Sequence, residues 1–394
     1  MNKNNYILLF CIAVLIRLVY FFVFKIDSPL NGDEMGYLRN AHSIFTLTPE
    51  ITRPPLLPYL LAPFEFFGNY NIILARLIGV LISSLTVLII IFVAEDLFIK
   101  HLHKFSISLF VCFYPPSIFY SPLILTETLS AFFICLIIFL TQKYTKTNQK
   151  IFLLCIGFSF GLLALTRSSY LYIILLFLIA LLLQNKKSIK NNFLFIISIL
   201  LPFSFVLTPQ ILYNYKTFKI ISASEPRLGY GLYICNNDFR NTDIKSGGYY
   251  KDERIINFSD EMKFDPINII KRDNDLKILA IDNISKNYHL LPRIIANRII
   301  NFWTFRPNPY KKTITKTDIA MFFIWSPILI GYFCSFIFYR HKFTFLIFDL
   351  FIFYSLLTVI PFWGIPRFRF PVDFLIIIKS LYFYFNIQFH KERK

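Results

Sequence analysis

Apolar runs of transmembrane length alternate with short polar tracts along almost the whole chain. A helix needs about twenty predominantly apolar residues to cross the hydrocarbon core. Runs of that order stand at 6–24, 71–94, 105–121, 129–141, 151–166, 169–184, 193–209, 318–338, 343–361 and 371–389. The pattern predicts an all-α polytopic membrane protein of about ten transmembrane helices. Lys and Arg collect after alternate runs, at Lys100 to Lys104, Lys143 to Lys150, Lys186 to Lys190, Arg340 to Lys342 and Lys391 to Lys394. Placed in the cytoplasm, these tracts put both termini inside a multi-pass plasma (inner) membrane protein. The first run is longer than a usual signal core and no small-residue cleavage site follows, so it is expected to be a retained span.

The other face then receives the segment from Lys25 to Tyr70, the turns near Glu127 and Arg167, the stretch from about Gln210 to Thr317, and the loop from Trp363 to Pro371. The expected organisation is an N-terminal transmembrane module over 1–209 with a catalytic first outer loop at 25–70. A small α or mixed extracytoplasmic domain follows over 210–317, then a C-terminal transmembrane module over 318–394. Within the outer domain, Asp273 to Phe302 has amphipathic helical spacing, whereas Gly229 to Tyr250 reads as irregular or strand-like.

Composition narrows the classes. Of 394 residues, 56% are hydrophobic and only 16% charged, well below the roughly 25% of soluble domains. A net charge of +18 suggests nucleic acid at first, but the basic residues lie in tracts between apolar runs, so no nucleic-acid partner is expected. None of the six cysteines forms a C-x-x-C pair, and all but Cys235 fall inside apolar runs, which excludes a cysteine metal or redox motif. Two sequons, at Asn257 and Asn283, fall in the outer domain and matter only in a host that glycosylates them.

Candidate chemistry gathers at the outer ends of the apolar runs. Asp33 and Glu34 follow the first span closely, and Tyr37, Leu38 and Ala41 continue at the spacing of a helix lying along the interface. A carboxylate there can act as a general base on a hydroxyl, or can be a solvated helix N-terminus where acids favour the dipole. Glu127, between two threonines, opens a long apolar run; it is either part of a cap supported by Thr126 or a second acid facing the same site. Arg53, Arg167, Arg367 and Arg369 lie beside apolar segments on the same side, and a guanidinium suits phosphate because it binds two oxygens at once. Arg367 and Arg369 point the same way if their stretch is extended. Each arginine can instead snorkel toward headgroups, and Arg17 and Arg76 are expected to be structural. Acids and arginines on one face fit a sugar donor whose leaving group is a lipid-held phosphate. The Rossmann-like domain and glycine loop of nucleotide-sugar enzymes are missing. A multi-pass transporter or flippase of a lipid-linked or anionic substrate is the alternative, although no repeated halves appear and glycine is scarce at 12 residues.

Asp33, Glu34, Tyr37 and Ala41, together with the segments RPPLLPYLLAP, ARLIGVLISS, SPLILTET, LALTRSSYL, NFWTFRPNP and RFRFP, occur in the order found in a known family. The chain resembles the polytopic glycosyltransferases of the C-type fold (GT-C), in the bacterial branch related to protein mannosyltransferases and aminoarabinose transferase. The resemblance implies a polyprenyl-phosphate sugar donor, transfer with inversion on the outer face, and a lipid, glycan or protein acceptor. It implies a catalytic aspartate at Asp33 with Glu34 beside it, lipid-phosphate contacts at Arg367 and Arg369, and a second acid at Glu127. Tyr37 is expected to touch substrate. Some relatives hold a divalent ion through acidic groups, and Asp33, Glu34 and Glu127 supply oxygen ligands; no metal or other cofactor is expected to be required.

Overall fold

A computed structural model describes residues 3–48, 52–184, 189–225, 227–237, 266–309, 313–338 and 343–391. Among these residues the chain is helical throughout, without a strand. Five helices are long and apolar enough to cross a membrane: Asn4–Phe24, Asn71–Leu97, Thr126–Thr147, Phe193–Phe218 and Lys316–Ile337. Shorter apolar helices include Ile151–Thr166, Ser168–Gln184 and Phe343–Val359. Helical segments thus stand where the hydropathy pattern places its spans.

The first span is α1 (Lys3–Phe24), and α2 (Gly32–Phe45) and the short α3 (Leu56–Leu61) follow it. Next come α4 (Asn71–Leu97), α5 (His101–Cys112), α6 (Pro115–Tyr120), α7 (Thr126–Thr147), α8 (Ile151–Thr166), α9 (Ile173–Gln184) and α10 (Ile189–Phe218). The expected run 105–121 is two helices, because Pro115 and Pro116 can start a helix but not continue one. At the centre, α7 packs against α4 and α8, and α8 packs against α10. The α8–α10 approach is set by Gly157 and Gly161, four residues apart on one face: a Cβ at Gly157 would lie 2.0 Å from the Ile199 carbonyl oxygen. That small-residue spacing lets two backbones close on each other where lipid supplies no hydrophobic drive.

Apolar side chains also cover the outside. On α1, Leu15, Val23 and Phe24 are 62%, 63% and 65% exposed; such a surface is stable against acyl chains and not against water. Buried polar groups inside are held by hydrogen bonds. Arg17 donates to Ser83 Oγ at 2.8 Å and Ser117 Oγ at 2.6 Å, and also to the Ala13 carbonyl, which ties α1 to α4 and α6. Arg76 holds the Lys25 and Ser28 carbonyls, fixing the chain where it leaves α1.

After α10 come α11 (Leu228–Asn236), α12 (Pro266–Lys286) and α13 (Leu291–Trp303). The strand-like reading of Gly229 to Tyr250 is corrected for its first part, which is helix α11; Asp273 caps that helix, accepting from the Gly229 and Tyr230 amides at 3.0 and 2.8 Å. The remainder of that stretch and the Asn257 sequon lie outside the described residues. Asn283 donates to the Asn236 carbonyl at 2.7 Å, linking α12 to α11. The amphipathic stretch expected from Asp273 to Phe302 is two helices separated by a turn at Tyr288–Leu290. The C-terminal spans are α14 (Lys316–Phe338), α15 (Phe343–Val359) and α16 (Pro366–Lys391), and α16 packs against α14, α15 and α7.

Candidate active site

The site forms where α2, the start of α7, the end of α8 and the start of α16 meet. Helix α2 begins with a capping box: Asn31 Oδ1 accepts from the Asp33 and Glu34 amides, and Glu34 Oε2 accepts from the Asn31 amide at 3.0 Å. The other oxygen of Glu34 accepts from the Ile124 amide, also at 3.0 Å. Glu34 is 1% exposed and both its oxygens serve backbone N–H groups, so it clamps α2 to the chain entering α7. Its neighbour Asp33 turns the other way, into the site.

Arg367, the second residue of α16, bridges two acids: its Nη1 donates to Asp33 Oδ2 at 2.8 Å and its Nε to Glu127 Oε1 at 2.6 Å. Arg53 Nη1 lies 3.0 Å from Asp33 Oδ1. The Arg53 guanidinium lies across α2, over the Tyr37 ring, and fits because residue 36 is glycine: a Cβ there would lie 2.4 Å from Arg53 Nε. Burial alone would raise the Asp33 carboxyl, but the charges of Arg367 and Arg53 outweigh it and hold it below the ordinary value of 3.8. Tyr37 donates to Thr126 Oγ1 at 3.5 Å, at the start of α7.

Glu127 is 1% exposed and makes no cap bond, and the residue before its helix, Leu125, offers no side-chain cap either. Glu127 thus meets Arg367 rather than the free amides of its own helix. Its Oε2 has no hydrogen-bond partner among the described residues, and neither has the buried Nη1 of Arg167, 3.9 Å from Glu127 Oε1. Buried polar atoms are nearly always satisfied, so this acceptor and this donor are open to a polar ligand or to ordered water.

Arg369 does not join them. The sequence reading has Arg367 and Arg369 pointing together on an extended stretch, but Pro366 starts a helix there, and residues two apart on a helix face nearly opposite ways. Arg369 is fully buried against Trp325, paired with Asp373 at 2.8 Å and donating to the Phe302 and Thr304 carbonyls, while Asp373 accepts from the Tyr114 hydroxyl at 2.6 Å. The residue that sequence reasoning missed is Arg227, which donates to the Thr52 carbonyl at 2.8 Å and lies close enough to Asp33 to lower its pKa. No apolar run flanks Arg227 to signal its place.

A divalent ion does not fit this donor set. Both oxygens of Asp33 and one of Glu127 are taken by guanidiniums, and both of Glu34 by backbone amides. One open carboxylate oxygen beside three arginines is a poor cation site.

Beside the cluster is a cavity of about 390 Å³ with mainly apolar walls, among them Tyr20, Phe119, Tyr120, Phe305, Met321 and Pro366, and the Arg369–Asp373 pair also borders it. Comparison with known proteins adds one match. No curated protein matches the chain. The family model of dolichyl-phosphate-mannose-protein mannosyltransferase matches residues 52–212, a stretch that holds Arg53, Glu127 and Arg167 and leaves Asp33 and Arg367 outside it. Over that stretch the chain is similar to the polytopic membrane glycosyltransferases of the C-type fold.

Proposed function

We propose that the protein transfers a sugar from a polyprenyl-phosphate carrier to an acceptor hydroxyl, with inversion, at the extracytoplasmic end of its helix bundle. The observation that carries the reading is the centre made by Asp33, Glu127, Arg367 and Arg167, with an unpartnered acceptor atom on Glu127 and an unpartnered donor atom on Arg167. A phosphate that bonds Arg167 and draws Arg367 and Arg53 toward its oxygens leaves Asp33 with fewer cationic partners. The carboxylate then becomes more basic at the moment the donor is in place. Asp33 takes the proton of the acceptor hydroxyl, and that oxygen attacks the anomeric carbon opposite the phosphate. The anomeric C–O bond breaks with its electrons passing to the phosphate oxygen, where the guanidiniums stabilise the charge. Glu127 Oε2 accepts a hydrogen bond from a sugar hydroxyl. The apolar cavity beside Pro366 suits the first isoprene units, and Tyr120 in its wall is near both Glu127 and Arg367.

Glu34 has a positioning role in this scheme, and Arg369 holds α13 against α16. No step needs a metal. The test is donor binding: Arg367→Ala is expected to weaken affinity for a polyprenyl-phosphate sugar by at least about tenfold, read well below a thermal midpoint that falls because Glu127 loses its buried partner. An affinity equal to wild type would remove Arg367 from the phosphate site.

A further inference from the structure

A second cavity has Arg53 in its wall. It measures about 270 Å³, and its walls include Asn40, Arg53, Tyr59, Gln210, Tyr213 and Glu225. We propose that it binds a single sugar ring of the acceptor, an inference that rests on the glycosyltransferase reading and names the acceptor's chemistry.

The placement follows from α2. Asp33, Tyr37, Asn40 and Ile44 follow one another at helical spacing along one stripe of that helix, so the cavity begins about 10 Å, or seven residues, from Asp33. Arg53 belongs to both sites, since it lines the cavity and bonds Asp33 at 3.0 Å. A ring seated there touches the guanidinium that holds the base, and an acceptor hydroxyl reaches Asp33 along the Arg53 side chain.

The walls select the ligand. Tyr59 donates to Gln210 Oε1 at 2.7 Å, and Gln210 Nε2 to Asn214 Oδ1 at 2.8 Å. These bonds fix the directions of a phenol and a carboxamide that meet ring hydroxyls. Tyr213 is 39% exposed and offers a ring face for the C–H side of a pyranose. Ile44, Leu47, Pro55 and Pro58 supply apolar wall beside these few polar groups, a mixture that fits the C–H face and the hydroxyls of one pyranose. Pockets for drug-sized ligands run from roughly 300 Å³ upward, so this volume suits one ring rather than an oligosaccharide.

The experiment uses the purified full-length protein in liposomes, a panel of polyprenyl-phosphate sugars, and methyl and octyl glycosides of single hexoses and hexosamines as acceptors. It reads transfer to the glycoside and, separately, release of sugar to water. Tyr213→Ala, which removes a wall, and Ile44→Trp, which fills the space, are expected to raise acceptor KM by about tenfold. Release to water should remain within about twofold of wild type, because loss of acceptor binding leaves the donor half of the reaction intact. Tyr213→Phe should behave as wild type. A lower KM for octyl than for methyl glycosides assigns the ring to a membrane lipid; equal values assign it to a soluble glycan. Unchanged acceptor KM in both variants overturns the pocket, as does Asp33-dependent sugar release with no glycoside accepted. Wild type that releases no sugar from any donor overturns the glycosyltransferase reading itself.

Discussion

Asp33 shares its two oxygens between Arg367 and Arg53, and this makes it a weak base in the free protein. The sign of its pH dependence follows. A carboxyl held below its usual value remains ionised at all pH above about 4, and the contact is lost only as pH falls through the lowered value. The acid limb of kcat/KM, which reports the free enzyme, is expected below the ordinary carboxylate range. A limb near neutrality would assign the base to another group. Glu127, Arg167 and Arg367 are legible in the sequence because each stands at the end of an apolar run, and Asp33 and Arg53 because they lie in the loop that follows the first span. What the sequence leaves open is direction. Glu34 and Asp33 are adjacent, yet one serves the backbone and the other the site, and the helix that starts at Pro366 separates Arg369 from Arg367.

At the scale of elements, α2 carries Asp33, the proposed base, and is fastened at its N-terminus by Glu34, whose Oε1 reaches across to the Ile124 amide before α7. The Asn31-x-x-Glu34 spacing is a capping signature in the sequence, but the bond to Ile124 spans distant segments and has no local signal. Glu34→Ala leaves the buried Ile124 amide without its acceptor, at a cost of about 1–3 kcal/mol, and removes half of the capping box. It is expected to lower the thermal midpoint and activity together, measured by unfolding and turnover in the same preparation. Loss of activity with an unchanged midpoint would instead give Glu34 a direct part in the chemistry. The close approach of α8 and α10 at Gly157 and the division of 105–121 at Pro115 are readable from residue type. The helical state of Leu228–Asn236 is not, because a nine-residue segment gives periodicity little to work on and the tertiary cap from Asp273 decides it.

Across the whole molecule, the acids and arginines of the site come together at one end of the bundle, while Lys379 and Asp349 pair far along α16 and α15. Their shortest N–O distance is 2.5 Å, with Lys379 2% and Asp349 18% exposed; the pair lies about 18 Å from Arg367, counted as twelve residues of helix rise. Tyr332 on α14 donates to the same carboxylate at 3.2 Å, so three C-terminal spans meet at one ion pair. Charges inside two apolar runs are visible in the sequence, and their pairing comes only from packing. Asp349→Leu strands a buried ammonium, and a cost of about 3–5 kcal/mol is expected. A large fall in thermal midpoint that the double variant Lys379→Leu/Asp349→Leu largely restores is the predicted result. An equal fall in both would show that the pair contributes more than mutual neutralisation.

The central claim is that this helix bundle holds a sugar-transfer site with Asp33 as its base. The measurement that tests it most directly is sugar transfer or release by the purified protein in liposomes, using a panel of polyprenyl-phosphate sugars, with wild type and Asp33→Asn side by side. The account predicts activity with at least one donor, lost by roughly a hundredfold or more in Asp33→Asn with an unchanged thermal midpoint. Full activity in Asp33→Asn, or no activity with any donor accompanied by movement of lipid or solute across the bilayer, would contradict it.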